Sequence, residues 1–461
     1  MSIKLRLTVM SFLQFFVWGA WLITIANYWF GTKQWDGTQF GAIFATMGIA
    51  SLFMPTLIGI IADRWVNAEK LYSLLHLLYA ATLFYLPQVN DPQLFFYVIL
   101  AAMCFYMPTL ALSNSISYTA LTLGQYDLVK AFPPIRVWGT IGFIAAMWLV
   151  NLSGNKATGY QFYIAGAAAF ALSVFALTLP KCPPRNINRE GQSLIQTFGL
   201  EAFKLFGNYK MALFFVFSMF LGGALQLTNA YGDVFLDEFK FYPAYVDSFV
   251  VRLSTIIMSI SQISETLFIL AIPFFLKRFG IKKVMLISML AWVLRFGLFA
   301  YGDPAGGLWM IILSCIVYGM AFDFFNISGS LFVETSTDSH IRSSAQGLFM
   351  MMTNGFGAVL GSLISGWVID HYFTLHFSNV HSLADFLQTD AENSFLLKFV
   401  QERGVDVLQN GTLSAEVLLK DWHHIWLAFA GYTLVIALLF AVLFKHKHER
   451  PAAAAYSDSR H

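Results

Sequence analysis

Charge is scarce in this sequence. Asp, Glu, Lys and Arg together supply 12% of its 461 residues, about half the share of an ordinary water-soluble domain. A soluble chain of this length would divide into several domains with charged surfaces, and the residues to cover them are missing. Cysteine is scarcer still: Cys104, Cys182 and Cys315 match no metal-ligand spacing and build no disulfide framework. A net charge of +2 leaves no basic surface for nucleic acid. The chain also lacks His-Glu-x-x-His, Gly-x-Ser-x-Gly and Gly-Lys-[Ser/Thr]. That sets aside a zinc hydrolase, a serine hydrolase and a built-in ATP-driven pump, so no enzyme, metal or cofactor is expected. What is abundant is apolar: 57% of residues are hydrophobic and 47 are Phe. A polytopic membrane protein remains.

A helix crosses the hydrocarbon layer with roughly 20 apolar residues. Twelve such stretches are legible, near 7–30, 39–62, 71–89, 94–121, 134–152, 160–180, 210–234, 250–276, 284–302, 307–333, 344–370 and 424–444. The first follows Lys4 and Arg6, is longer than a signal-peptide core and carries Trp18, Trp21 and Trp29. It is expected to be retained as a helix. Trp29, Trp65 and Trp422 lie near segment ends and are expected at the membrane–water interfaces. With both termini on one side, 20 of the 28 Lys and Arg fall on that side and six on the other. The inside-positive bias then places both termini in the cytoplasm.

Similar elements recur at similar offsets. Gly59…Asp63-Arg64 after the second span is answered by Lys277-Arg278 after the eighth, Asn114 by Asn326, and Ile135-Arg136 by Ile341-Arg342. The expected fold is all-α, with twelve transmembrane helices in two six-helix halves. These are an N-terminal half over 1–180, a cytoplasmic linker over 181–209, a C-terminal half over 210–446 and a tail over 447–461. Paired halves with a site between them are the plan of a secondary transporter. An enlarged outer loop spans 373–422. Fifty structureless residues would be unusual, so a small folded cap is expected, with Ala384 to Gln401 as an amphipathic helix.

Polar groups inside the spans are the candidate site. Glu265 lies 13 residues from Arg252 and 12 from Lys277, roughly 18–20 Å from either charge along a helix. An acid at that depth costs about 3 kcal/mol or more unless it is protonated, paired or faces a cavity. Gln262 shares its face. Asp323 is a second acid at depth, near the face that Tyr318 and Phe322 share. Arg136, Thr140 and Phe143 form one helical stripe, with Pro133-Pro134 either starting that helix or inside its first turn. Gln226 and Asn229, three apart, offer amide donors and acceptors. Each group also has a plain structural reading, as an interhelical hydrogen bond or, for Arg136, a cation at the inner rim. Gln14 and the Asn114-Ser115-Ile116-Ser117-Tyr118 cluster read more naturally as helix packing, Gly357-x-x-x-Gly361 as a close helix approach, and Arg295 as a possible partner for an acid.

The Gly59…Asp63-Arg64 turn resembles the loop signature of the major facilitator superfamily, although Val66 stands where a glycine is usual. Longer stretches are more specific: Met10-Ser-Phe-Leu-Gln14, Phe132-Pro-Pro-Ile-Arg136-Val-Trp-Gly-Thr140-Ile-Gly-Phe143, Ser259-Ile-Ser-Gln262-Ile-Ser-Glu265 and Tyr318-Gly-Met-Ala-Phe-Asp323-Phe-Phe-Asn326. They resemble the bacterial nucleoside:proton symporters, the group of general nucleoside and xanthosine permeases. The resemblance implies a monomeric permease of the bacterial inner membrane that binds nucleosides and protons. It implies substrate contacts at Arg136, Thr140, Phe143, Gln226, Asn229, Gln262, Glu265, Tyr318, Phe322 and Asp323. Phe143 and Phe322 would sandwich the base, and Glu265 or Asp323 would carry the proton. Arg136 would pair with an acid in the empty state. Members are expected to have a short connection where this chain has 373–422. Proton-coupled uptake of another neutral solute such as a sugar, or a non-transporting nucleoside receptor, are the alternatives, and xanthosine preference against broad uptake is left open.

Overall fold

The computed structural model describes residues 2–184, 200–338 and 341–446. Residues 185–199 of the expected linker, and the expected tail 447–461, lie outside the described residues. The long helices are α1 (Ile3–Gly19), α2 (Gly37–Arg64), α3 (Ala68–Tyr85), α4 (Pro92–Leu123), α5 (Leu128–Leu152), α6 (Tyr160–Ala176), α7 (Tyr209–Glu238), α8 (Ser254–Tyr301) and α9 (Leu308–Ser336). Next come α10 (Arg342–Met350), a π-helical turn Met351–Gly357 and α11 (Ala358–Tyr372). Helix starts follow local chemistry. Asp36 caps α2 by accepting from the Gln39 N–H at 2.7 Å, and Asp91 caps α4 through Leu94 at 2.7 Å, each satisfying an otherwise orphaned donor.

Among the described residues, eight helical stretches are long and apolar enough to cross a membrane. One of them, α8, holds two expected spans in series. They are separated at Gly280, whose φ of 75° and ψ of 168° are open essentially to glycine alone. Pro133 and Pro134 fall inside α5, which begins at Leu128. Trp65 is exposed as an interface residue should be, but Trp29 is fully buried and donates to the Asp36 carbonyl at 2.8 Å. Trp29 therefore belongs to the core of the α1–α2 connection, not to an interfacial belt.

Helices before residue 180 pack chiefly on one another: α1 on α5, α2 on α4, and α3 on α4 and α6. Those after residue 209 do the same, α8 on α9 and the last helix, α7 on the π-turn and α11. The two groups meet along α2 with α11 and α5 with α8. Glycine sets the closest approaches. A Cβ on Gly142 would fall within 3.0 Å of the Phe12 backbone, and one on Gly361 within 3.0 Å of Gly223 Cα. The Gly357/Gly361 pair thus brings α11 against α7, as small residues four apart permit.

Gln14 is fully buried, not part of a cavity wall. Its Nε2 donates to Thr109 Oγ1 at 2.8 Å, its Oε1 accepts from the Tyr72 hydroxyl and meets His76 Nε2 at 3.0 Å, and its carbonyl accepts from Tyr106 at 2.8 Å. Ser117 is likewise spent on the Ser113 carbonyl, while Asn114, Ser115 and Tyr118 are exposed. Replacing Gln14 by Leu strands two buried polar groups, the Tyr72 hydroxyl and His76 Nε2, each at about 1–3 kcal/mol, while Thr109 keeps its bond to the Tyr106 carbonyl at 2.6 Å. Purified Gln14→Leu protein is expected to unfold several degrees below the parent in a detergent thermal melt.

The 373–422 region departs from the all-α expectation. Strands β1 (Thr374–Asn379) and β2 (Thr412–Lys420) pair antiparallel, with Thr374 opposite Lys420. They enclose α12 (Val380–Phe386) and α13 (Ser394–Gln401). The single helix expected over Ala384–Gln401 is broken, because Gln388 takes a positive φ of 56° and Asn393 starts α13 with a fresh cap on Phe395. This cap has its own apolar core, including Leu383, Leu396, Val400 and Val417, packed on Phe241 and Tyr242 beyond α7. It leads directly into α14 (Trp422–Leu443).

Candidate functional site

At the end of the molecule that carries the cap, polar contacts tie the two helix groups together. Lys156, in the α5–α6 connection, reaches Asp237 of α7 at 2.6 Å, the Val251 carbonyl at 2.6 Å and Ser254 Oγ at 2.9 Å. Asn151 donates to the Arg252 carbonyl at 3.0 Å and Trp148 to Ser259 Oγ at 2.9 Å. Asn27 donates to Asp233. Along the other seam Asp370 accepts from the Gly37 N–H at 3.2 Å and the Thr38 hydroxyl at 2.9 Å.

Further along the α5–α8 seam, side chains face each other instead of touching. Arg136 is exposed although it sits in a membrane-spanning helix, which places it on a water-accessible opening and not against lipid. Its guanidinium lies over the Phe15 ring, 4.1 Å from the centroid. Glu265 faces it from α8 and interacts with it electrostatically. Arg136 thus combines a cation–π contact with an acid held opposite it, and no ion pair within 4 Å joins the two among the described residues.

Helix α9 completes this cluster. Glu265 interacts with Tyr318 and Asp323. Gly319 makes that possible, since a Cβ there would strike the backbone at Ser264 and Glu265 within 3.0 Å. Tyr318 and Phe322 stack nearly parallel, with centroids 6.1 Å apart at 11°. Asp323 is only 4% exposed, and one of its oxygens has no partner. One oxygen each of Gln226 and Gln262 is buried and unpartnered in the same way. Buried polar atoms are nearly always paired, so three unused acceptors on α7, α8 and α9 mark places where a polar ligand would be held. Thr140 and Asn229 are half-buried and make no side-chain hydrogen bond among the described residues. Phe143 is joined edge-on by Trp18 at 6.2 Å and is not in ring contact with Phe322.

The structure therefore gathers Arg136, Glu265, Tyr318, Phe322 and Asp323 into one cluster, joined by electrostatic interaction and the Tyr318–Phe322 stack, with Gln262 one turn from Glu265. A separate small cavity of about 30 Å³ touches Phe322 and Asn326 but none of the other candidates; it has room for only a few waters. Arg295 is fully buried with neutral hydrogen-bond partners, Thr228, Ser261 and the Ser314 carbonyl, and lies 4.7 Å from the Tyr318 centroid. It supports a candidate ring instead of pairing with an acid. Sequence reasoning missed Trp18, the aromatic that backs Phe143, and the acids at the cap end. Asp233 was visible as a carboxylate within the apolar run 210–234, but Lys156 lies in a connection and Asp237 in the last turn of α7 beyond the expected span, and their pairing could only be found through contacts across the seam.

The model of the nucleoside H+ symporter family matches residues 1–449. The chain belongs to that family. It is 49% identical to the nucleoside permease NupG of Escherichia coli (strain K12) over 451 residues, 98% of either chain. To the xanthosine permease of the same organism it is 48% identical over 450 residues, 97% of either chain. A crystal structure of a point mutant of the nucleoside transporter NupG superposes with a TM-score of 0.84 at 48% identity, covering 96% of this chain and all of that one. Family membership makes the chain a permease and not an enzyme.

Proposed function

We propose that this chain takes up nucleosides together with protons, by alternating access, across a bacterial inner membrane. In this reading it is a monomer with twelve spans in two six-helix halves, 1–180 and 210–446, and both termini are cytoplasmic. The cap end then faces outward. Support for the substrate class comes from the family and from relatives named as nucleoside and xanthosine permeases. The observation that carries the mechanism is the set of Arg136, Glu265, Tyr318 and Asp323 facing one another across a seam tied shut at the cap end. Stacking of a base on Phe143 and Phe322, with Gln226, Asn229, Gln262 and Thr140 bonding base edges and ribose, uses the unpartnered acceptors. Protonation of Glu265 or Asp323 removes the cost of carrying a bare carboxylate through reorientation.

The test is radiolabelled uridine uptake in cells lacking their own nucleoside permeases, with and without a protonophore, against competitors that include xanthosine and glucose. Uptake that collapses with the protonophore and is blocked by nucleosides is the expected result. Competition by hexoses but not by uridine or adenosine would overturn the substrate class, and binding without flux would overturn transport. Phe143→Ala and Phe322→Ala are each expected to raise the apparent KM for uridine roughly 5- to 100-fold, the loss of about 1–3 kcal/mol of base stacking. Initial-rate kinetics at matched expression check this.

A further inference from the structure

Asp233 is 1% exposed, on α7 at the junction of the two helix groups. One of its oxygens accepts from Asn27 of the opposite group; the other is buried with no partner. The hydroxyls of Ser254 and Thr255, at the start of α8, face it, as does the Lys156 ammonium, and Asp237 lies one turn further along its own helix. Lys156 enters this pocket from the other group like a tethered cation, held by Asp237, the Val251 carbonyl and Ser254 Oγ. Asp237 is shared with Lys240 at 2.5 Å.

Charge balance gives this arrangement a function. With the seam closed, two lysines meet two carboxylates. When the cap end opens, Lys156 and Asn27 withdraw with their own group. Asp233 and Asp237 then keep only Lys240, in a pocket of low dielectric now in contact with outer water. One proton restores neutrality. A buried carboxylate left without its cation is strongly unfavourable, so proton and Lys156 compete for one place.

We propose that Asp233 is a proton-binding residue of the outer gate: it takes a proton from outside as Lys156 leaves, and must pass that proton inward, toward Glu265 and Asp323, before Lys156 can return and close the gate. This rests on the symport reading and its sidedness, and adds a proton site apart from Glu265 and Asp323.

The experiment compares wild type, Asp233→Asn, Lys156→Met and the double variant, measuring uridine accumulation and uridine counterflow across a pH range. A second readout is labelling of a cysteine at Thr255 by a membrane-impermeant maleimide, against parents lacking that cysteine. Asparagine imitates the protonated acid, so Asp233→Asn is expected to keep counterflow. Its accumulation should lose its pH dependence and fall from roughly fortyfold toward unity. Lys156→Met should hold the gate open and raise Thr255→Cys labelling. The double variant should bring labelling back toward the parent, because the carboxylate that needed the lysine is gone. A purely structural pair would instead give additive damage. Wild-type accumulation and pH profile in Asp233→Asn, or a double variant labelled as fast as Lys156→Met, overturns the proposal. If Asp233→Asn does not reach the membrane, labelling of Lys156→Met decides alone, and an unchanged rate overturns it. Absence of protonophore-sensitive uptake in wild type sinks the symport reading instead.

Discussion

Glu265→Gln is expected to abolish concentrative uptake while leaving uridine counterflow within a few-fold of the parent. Two acids lie in the candidate site, but their surroundings differ. Glu265 faces Arg136 across the seam and also interacts electrostatically with Tyr318 and Asp323, so of the two acids it alone interacts with both groups. Asp323 is 4% exposed, with one oxygen buried and unpartnered. One proton moving through about 100 mV supplies about 2.3 kcal/mol, enough for a gradient of roughly fortyfold. A glutamine keeps the shape and the hydrogen bonds of a protonated glutamate but cannot cycle a proton. Accumulation should therefore fall to the external concentration, and exchange of labelled for unlabelled uridine should persist. Asp323→Asn, in contrast, is expected to lower both activities by at least about tenfold, the loss of one strong ligand contact. Counterflow measured in proteoliposomes beside proton-driven uptake separates the two. Loss of both activities in Glu265→Gln would move the proton to Asp323.

Gly41→Leu is the second large effect. On α2 a Cβ at this position would fall within 3.0 Å of the Ser362 carbonyl, and at Gly48 within 3.0 Å of the Gly355 carbonyl and Val359. At Gly41 the approach between the two helix groups is backbone to backbone, with no side chain to give way, and at Gly48 the backbone of Gly355 and Val359 is joined by the Val359 side chain. Overpacking costs about 1–3 kcal/mol, and against a closed cap end it acts on the closed state alone. That shifts the closed-to-open balance by roughly five- to a hundredfold. Uridine uptake is expected to drop accordingly, and labelling from the outer side to rise. Gly347→Ala, where a Cβ meets nothing within 4 Å, is the control and should leave both unchanged.

The helical plan was legible because membrane spans announce themselves by length and apolarity, and the intramembrane polar residues stand out against that background. Glu265, Asp323 and the Arg136-Thr140-Phe143 stripe needed no structure to be noticed. Other features left no such mark. In β2 the buried positions Leu413, Val417 and Leu419 are interrupted, and its partner strand lies some forty residues earlier; a short strand is defined by a pairing the local pattern does not contain. Helices that are apolar nearly all round do not reveal which face meets another helix. The contacts of Lys156 with Asp237 and of Asn27 with Asp233 were therefore out of reach, and Trp29 was expected on the surface although it is buried in the protein. Asp233 was passed over because it lies one residue from the expected end of its span.

The cap is bound to one side of the moving boundary. Its core packs on Phe241 and Tyr242, Lys420 and Trp422 both hold Glu238, at 3.0 and 2.7 Å, and β2 passes straight into α14. Toward the other side the Lys420 ammonium rests 3.7 Å above the Phe30 ring. The cap is thus a water-facing pointer fixed to the C-terminal helices. A fluorophore at exposed Leu408, paired with one in the α5–α6 connection, would report each opening of the transporter as a change in distance, with no label inside the membrane.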